Sequence, residues 1–245
     1  MKALACDFDG TFYFMGEKEP VKQCDIDAVK EFQSQGHLFG FCTGRPLYGL
    51  TDYLNDQVKA DFYILNSGAT IFDKDQNIIF EKTIPKEITD TLISYGVEHN
   101  YSVDFHMDGK FFAFGKSITF ITDEIYTLEE VCGKVHNITY DAKTPENADE
   151  LAQHVNTLFE GQVSAFRNTK YVDIVPAGCS KGFGIDFVRN HLNIDLFASI
   201  GDSMNDYPMF EKTEPCFTFS YAPEVLQKKA THLVKSVAEA IQIML

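Results

Sequence analysis

The chain has 245 residues, 44% hydrophobic and 23% charged, with 21 lysines and arginines against 36 aspartates and glutamates. That is enough apolar material for one large domain, or for a core domain with a smaller companion. A net charge of −15 repels polyanions at long range, which argues against nucleic-acid and anionic-membrane partners and demands a locally positive site for any anionic substrate. No apolar run reaches the roughly 18 residues of a membrane span, and Met1 to Asp7 is too short an apolar stretch for a signal peptide. The expected setting is therefore the cytoplasm; the sequence leaves the oligomeric state open.

Lys2 to Asp7 is a near-continuous apolar run, as in a parallel strand buried on both faces. It ends in Asp7-Phe8-Asp9-Gly10-Thr11. Two carboxylates at i and i+2 stand where open α/β sheets bind ligands, at a strand's carboxyl end. They repel each other unless a cation or a proton intervenes, and Mg²⁺ favours carboxylates together with water and phosphate. Read alone, the same residues also make a turn with a capping aspartate.

Asp25 to Gln35 carries Ile26, Val29 and Phe32 on one helical face, and Gly36 supplies the stop. His37 to Cys42 is a second buried strand, ending in Cys42-Thr43-Gly44-Arg45-Pro46. A threonine hydroxyl and the amides of a helix opened by Pro46 suit a phosphate; an ordinary N-cap is the alternative. The helix carries Leu47, Leu50 and Leu54, and Asp61 to Leu65 is a third strand. Strands alternating with helices of this length indicate βαβ units and a parallel sheet.

Beyond residue 70 the texture changes. Thr70–Phe72 and Ile78–Phe80 flank a polar turn, Ser102–His106 and Lys110–Phe114 flank Met107-Asp108-Gly109, and Phe166–Arg167 lies close to Tyr171–Val175: three hairpin signals. A helix is expected from Pro85 to Val97. Antiparallel pairs mixed with helices predict a small α+β domain over 82–176, inserted into an α/β domain made of 1–81 and 177–245. His106 reads as a substrate contact or, more simply, as an exposed hairpin residue.

The βα pattern returns at Ser180. Lys181 opens a helix, where a cation opposes the macrodipole, and an anion bound between the two resolves that conflict; a lone lysine is otherwise a solvated surface charge. Strand Leu196–Ile200 ends in Gly201-Asp202-Ser203-Met204-Asn205-Asp206, again polar and acidic where a strand gives way to a helix. The six cysteines form no C-x-x-C pair, and Cys6 and Cys42, inside buried strands, read as reduced core thiols.

In order and placement, D-x-D-G-T, T-G-R, the late lysine and G-D-x-x-N-D resemble the motifs of the haloacid dehalogenase (HAD) superfamily, and their arrangement is similar to its Cof-type branch of sugar and metabolite phosphatases. Asn66-Ser67-Gly68-Ala69 resembles the branch's N-G-A segment with Ser67 as an extra residue. The chain departs from the branch at Ser220-Tyr221-Ala222, where Gly-Asn-Ala is usual, and in a shortened loop before the last helix. The resemblance implies a Rossmann-like parallel-sheet core with an α+β cap, and a Mg²⁺-dependent phosphatase of small phosphorylated metabolites working through an aspartyl-phosphate. Asp7 is then the nucleophile and Asp9 the general acid/base. Mg²⁺ is held by the Asp7 carboxylate, the Asp9 backbone carbonyl and Asp202, with Asp206 orienting a bound water. Thr43, Gly44, Lys181 and Asn205 bind the phosphoryl group, and Arg45 either helps or packs its turn. A sugar phosphomutase, or a metal- and phosphate-binding regulator without turnover, are the alternatives on the same core; retention of both Asp7 and Asp9 argues against the regulator.

Overall fold

The computed structural model describes residues 1–54, 56–117, 121 and 123–245. Strands β1 (Lys2–Cys6), β2 (Leu38–Cys42) and β3 (Phe62–Leu65) alternate with helices α1 (Gln23–Ser34) and α2 (Tyr48–Leu54), and a hairpin of β4 (Thr70–Asp73) and β5 (Ile78–Glu81) follows. Next come α3 (Lys86–Glu98), β6 (Val103–Met107), β7 (Lys110–Phe114), β8 (Glu124–Ile125), β9 (Val135–Asp141), α4 (Pro145–Leu158), β10 (Val163–Asn168) and β11 (Tyr171–Pro176). The chain closes with α5 (Lys181–Leu192), β12 (Leu196–Ile200), α6 (Tyr207–Phe210), β13 (Cys216–Thr218), α7 (Glu224–Lys229), β14 (His232–Leu233) and α8 (Val237–Met244).

One sheet has the order β14-β13-β12-β1-β2-β3-β4-β5. From β14 to β3 every pair is parallel, and the β4–β5 hairpin extends that edge antiparallel. The chain starts in the middle, at β1, builds outward through β2 and β3, and later returns to β1's other side with β12. The order therefore reverses at β1, which opens a crevice beyond the carboxyl ends of β1, β2 and β12. Helices cover both faces. Leu4, Phe39 and Phe41 pack with Val29 and Phe32 of α1 and Ile241 of α8; Ala3, Ala5 and Ile64 pack with Ile185 and Val188 of α5. Burial on both faces is why these strands read as unbroken apolar runs, and each fully buried Phe or Ile contributes about 1.5–3 kcal/mol.

The second sheet has the order β10-β11-β9-β6-β7-β8. One face is apolar: Val103, Phe105, Ile138, Tyr140, Val172 and Ile174 pack on Leu92 and Ile93 of α3 and Leu151 and Val155 of α4. Alternation along each strand puts Asp104, His106, Asn137, Thr139 and Asp173 on the other face. That polar face is covered as well, since His106, Asn137 and Asp173 are all buried. The two connections between the sheets run together: the Lys82 amide donates to the Ala69 carbonyl at 2.8 Å, and its Nζ to the Ala177 carbonyl at 2.7 Å. No helix among the described residues is long and apolar enough to cross a membrane.

Candidate active site

Asp7 follows β1 and is held against β12 by its amide, which donates to the Ile200 carbonyl at 2.9 Å. Lys181 is the first residue of α5, whose N-cap is the Ser180 hydroxyl, accepting from the Phe183 amide at 3.0 Å. The lysine is 1% exposed. Its Nζ donates to Asp7 Oδ1 at 2.7 Å and to Asp206 Oδ1 at 2.6 Å. The clash with the helix dipole is thus answered within the protein by two carboxylates, before any bound anion. Asp206 is fully buried, and its second oxygen accepts the amides of Asp202 and Ser203, each at 2.9 Å. Asp202 Oδ1 accepts the Thr11 hydroxyl at 2.7 Å.

One carboxylate oxygen from each of Asp7, Asp202 and Asp206 lies within 4.8 Å of the others. Against these three charges stands one ammonium. Burial first, and then the Asp206 charge, raises Asp7 well above the usual carboxylate range; the same causes in the same order push Asp202 up to about 6. Burial works against the Lys181 charge, but Asp206 and Asp7 outweigh it and hold the ammonium well above its ordinary range. An all-oxygen donor set with surplus negative charge suits a hard divalent cation such as Mg²⁺. Both Asp206 oxygens are already taken, which leaves Asp7 and Asp202 as the carboxylates best able to ligate and suits Asp206 to an outer role.

Asp9 does not crowd Asp7. Its carboxylate turns to Arg45, which donates from Nε at 2.6 Å and from Nη2 at 2.7 Å. Arg45 is itself anchored by a 2.6 Å bond from Nη1 to the Gly49 carbonyl and by the Tyr53 ring 4.5 Å away. The two readings of Arg45 therefore meet: packing of its turn is what aims the fork at Asp9. Between the acids, Gly10 has φ +78°, and a Cβ there would come within 2.7 Å of an Asp202 oxygen. Tyr221, at the departure from the branch pattern, donates its hydroxyl to the Gly10 carbonyl at 2.7 Å.

Thr43 and Asn205 are buried beside this cluster. The helix expected after Pro46 is present as α2, which begins at Tyr48, and the Leu47 carbonyl accepts the Leu50 and Thr51 amides, each at 3.0 Å. The Thr43 and Arg45 carbonyls are taken by the amides of Ser67 and Asn66, at 3.0 and 3.1 Å, so the turn that leads into α2 is also tied to the next strand end. The Thr43 hydroxyl accepts the Arg45 amide at 3.2 Å, a local turn bond. Asn66, Ser67 and Gly68 all have positive φ, at 49°, 51° and 90°. The conformation is costly for the first two, and the Ser67 hydroxyl is buried with no hydrogen-bond partner. A Cβ on Gly44 would lie 3.4 Å from Asp173 Oδ2 and 3.6 Å from Ser67 Oγ, so a side chain of the second sheet reaches the floor of the site.

Asp7, Asp9, Thr43, Gly44, Asp202 and Asn205 open into a cavity of about 620 Å³ whose opposite wall is the polar face of the second sheet. His106 lines it, but is not the exposed hairpin residue that its position suggested. It is buried, its Nδ1 lies 2.8 Å from Asn66 Oδ1, and Phe111 stands edge-on at 4.7 Å. Burial, aided by the His136 and Arg45 charges, pushes it down to about 3, so the ring is neutral at physiological pH. Asp104, Thr139, Asn168 and Asp173, which the motifs do not mark, also line the cavity. Their signal is the alternation in Val103-Asp104-Phe105-His106-Met107 and Tyr171-Val172-Asp173-Ile174, polar side chains at every second place of a strand.

Carboxylates gathered at the switch point of a parallel sheet, a buried lysine between them and a second sheet as a roof define a capped α/β hydrolase of the phosphotransferase type. The chain belongs to the haloacid dehalogenase-like hydrolase family, whose sequence profile matches residues 4–241. It is 26% identical to an uncharacterised Mycoplasma capricolum protein, over 97% of this chain and 98% of that one. It is 22% identical to the HMP-PP phosphatase of Yersinia pseudotuberculosis, over 86% of this chain and 81% of that enzyme. Among solved structures, a HAD subclass IIB sugar phosphatase superposes with a TM-score of 0.84 at 21% identity, covering 100% of this chain and 99% of the other.

Proposed function

We propose that the protein is a Mg²⁺-dependent phosphatase that hydrolyses small phosphate monoesters through an aspartyl-phosphate on Asp7. The observation that carries this reading is the buried Asp7–Lys181–Asp206 chain beside Asp202, opening into a cavity roofed by the second sheet. Residues 82–176 act as the cap, and relatives named as a sugar phosphatase and an HMP-PP phosphatase support a small substrate.

An Asp7 oxygen attacks phosphorus while the bond to the leaving oxygen breaks. Lys181 fixes the other side of that carboxylate and adds positive charge next to the phosphoryl group, with Thr43, the Gly44 turn and Asn205 gripping its oxygens; such transfer rests on positioning and electrostatics. Asp9, whose side chain is 47% exposed, leaves the Arg45 fork protonated and gives its proton to the leaving oxygen. It then takes one from the water that attacks phosphorus, which frees Asp7 and phosphate. The Asp7 carboxylate, the Asp9 carbonyl and Asp202 would hold Mg²⁺, which when bound neutralises charge on the ester and the acids.

The test is phosphate release from a panel of monoesters, with Mg²⁺ and in chelator, and no bisphosphate activator added. Release that needs Mg²⁺ and disappears in Asp7→Asn is expected. A requirement for a bisphosphate would favour the mutase, and full activity after exhaustive metal removal would refute the metal assignment.

A further inference from the structure

His106 is the single histidine among the described residues lining the cavity, and its surroundings decide which ring nitrogen carries the proton. Asn66 Nδ2 donates to the Thr70 hydroxyl at 2.8 Å, which turns Asn66 Oδ1 toward the imidazole, 2.8 Å from Nδ1. An amide oxygen only accepts, so Nδ1 holds the hydrogen, and in a neutral ring Nε2 keeps a bare lone pair. Burial holds the ring neutral, as described above. Among the described residues no hydrogen bond reaches Nε2, and the atom is not sealed off from solvent. Its lone pair is therefore open on the cavity side.

The ring is also held in place. Asn66 is buried and has φ 49°, with Ser67 after it at φ 51°. Two successive residues with a Cβ in the left-handed region are costly, and this strained turn is what presents the Asn66 amide to the second sheet. On the other side Phe111 stands edge-on to the ring. A side chain fixed by two neighbours needs little further ordering when it meets a ligand.

We infer that His106 is a specificity-determining residue whose Nε2 accepts a hydrogen bond from a hydroxyl or amino group of the leaving group, so that the substrates are monoesters of polyhydroxy or amino-bearing alcohols rather than of plain alkyl chains. The inference rests on the phosphatase reading above. A site built to meet a donor keeps a desolvated acceptor unpaired when the donor is missing, and that penalty falls on the analogue without the hydroxyl.

Sorbitol 6-phosphate and n-hexyl phosphate share a six-carbon chain, with and without hydroxyls. The wild type is expected to favour sorbitol 6-phosphate in kcat/KM by about tenfold or more. His106→Asn, whose amide takes the place of Nδ1 and can still meet Asn66, should lose most of that preference. His106→Gln, whose amide reaches the place of Nε2, should keep more of it than the asparagine does. Taking the ratio within each protein cancels any loss of folded enzyme. The tautomer is read in the wild type, labelled with nitrogen-15 histidine, from proton–nitrogen correlations of the imidazoles, with Nδ1 of His106 protonated and Nε2 bare; this readout stands if the variants do not fold. A wild-type ratio at or below one, a preference that His106→Asn retains, a glutamine variant no better than the asparagine, or a proton on Nε2 overturns the inference. Failure to release phosphate from both esters and from p-nitrophenyl phosphate, with Mg²⁺ present, overturns instead the phosphatase reading beneath it.

Discussion

Replacing Asp202 with asparagine removes a charge that the metal-free fold holds at a cost. A carboxyl that ordinarily titrates at 3.8 is pushed up to about 6 here. At about 1.4 kcal/mol per pH unit, ionised Asp202 weakens the metal-free protein by about 3 kcal/mol at neutral pH. The asparagine keeps an oxygen for the Thr11 hydroxyl, so metal-free Asp202→Asn is expected to be more stable than wild type by roughly 1–3 kcal/mol. Urea unfolding in chelator, followed by circular dichroism, reads this as a higher midpoint. Added Mg²⁺ should raise the wild-type midpoint and barely move the variant, because the charge that the cation would cancel is gone. Between the two titration values the folded chain holds a proton on Asp202 that the unfolded chain has released. Metal-free stability should therefore fall as pH rises through that window, and the slope should flatten in the variant. A variant less stable than wild type without metal, or a wild-type midpoint indifferent to Mg²⁺, would refute the charge argument.

Asp7→Asn should abolish turnover with the unfolding midpoint preserved or raised, because the amide is nearly isosteric but not a competent nucleophile; wild-type rates would exclude the covalent route. Asp9→Asn should slow turnover by about 10²–10⁴-fold through loss of the proton carrier, and a smaller loss in rapid-quench measurements would assign the proton to another group. Lys181→Met should lower stability by about 3–5 kcal/mol at neutral pH, since it leaves Asp7 and Asp206 buried without their ammonium. A lysine that only opposed a helix dipole would give the reverse, no loss of stability, in the same urea titration.

What the sequence made legible were the places where chemistry and secondary structure share a local signal. β1, β2 and β12 announce themselves because both their faces are buried, and the acids stand just past their ends because parallel strands converge there on one edge. What stayed hidden depended on partners far along the chain. The residues around Pro46 look like a helix start and lead into one, but no local pattern shows that Asn66 and Ser67 also claim the Arg45 and Thr43 carbonyls. Lys181 looked misplaced at a helix N-terminus because Asp7, 174 residues away, and Asp206 complete it. His106 looked exposed because a hairpin alone does not reveal that its polar face meets the end of β3, where Asn66 lies 2.8 Å from its ring. The alternation that carries Asp104 and Asp173 was readable, but which face would meet the cavity is a property of the assembled fold.

The junction at Lys82 and Ala177 has a consequence for how such a protein can change. These residues are 95 apart in sequence and one hydrogen bond apart in space. The chain leaves the catalytic sheet and re-enters it through a single doorway, so what lies beyond can be exchanged without re-threading a strand. A turn of about two to five residues would be enough to close the gap. The ends of a transplanted roof from a distant cousin would meet the same two anchor points. The exchange is limited at the site itself, where His106 lies 2.8 Å from Asn66 Oδ1 and Asp173 reaches the Gly44 turn, so a new roof would have to keep those contacts or replace them.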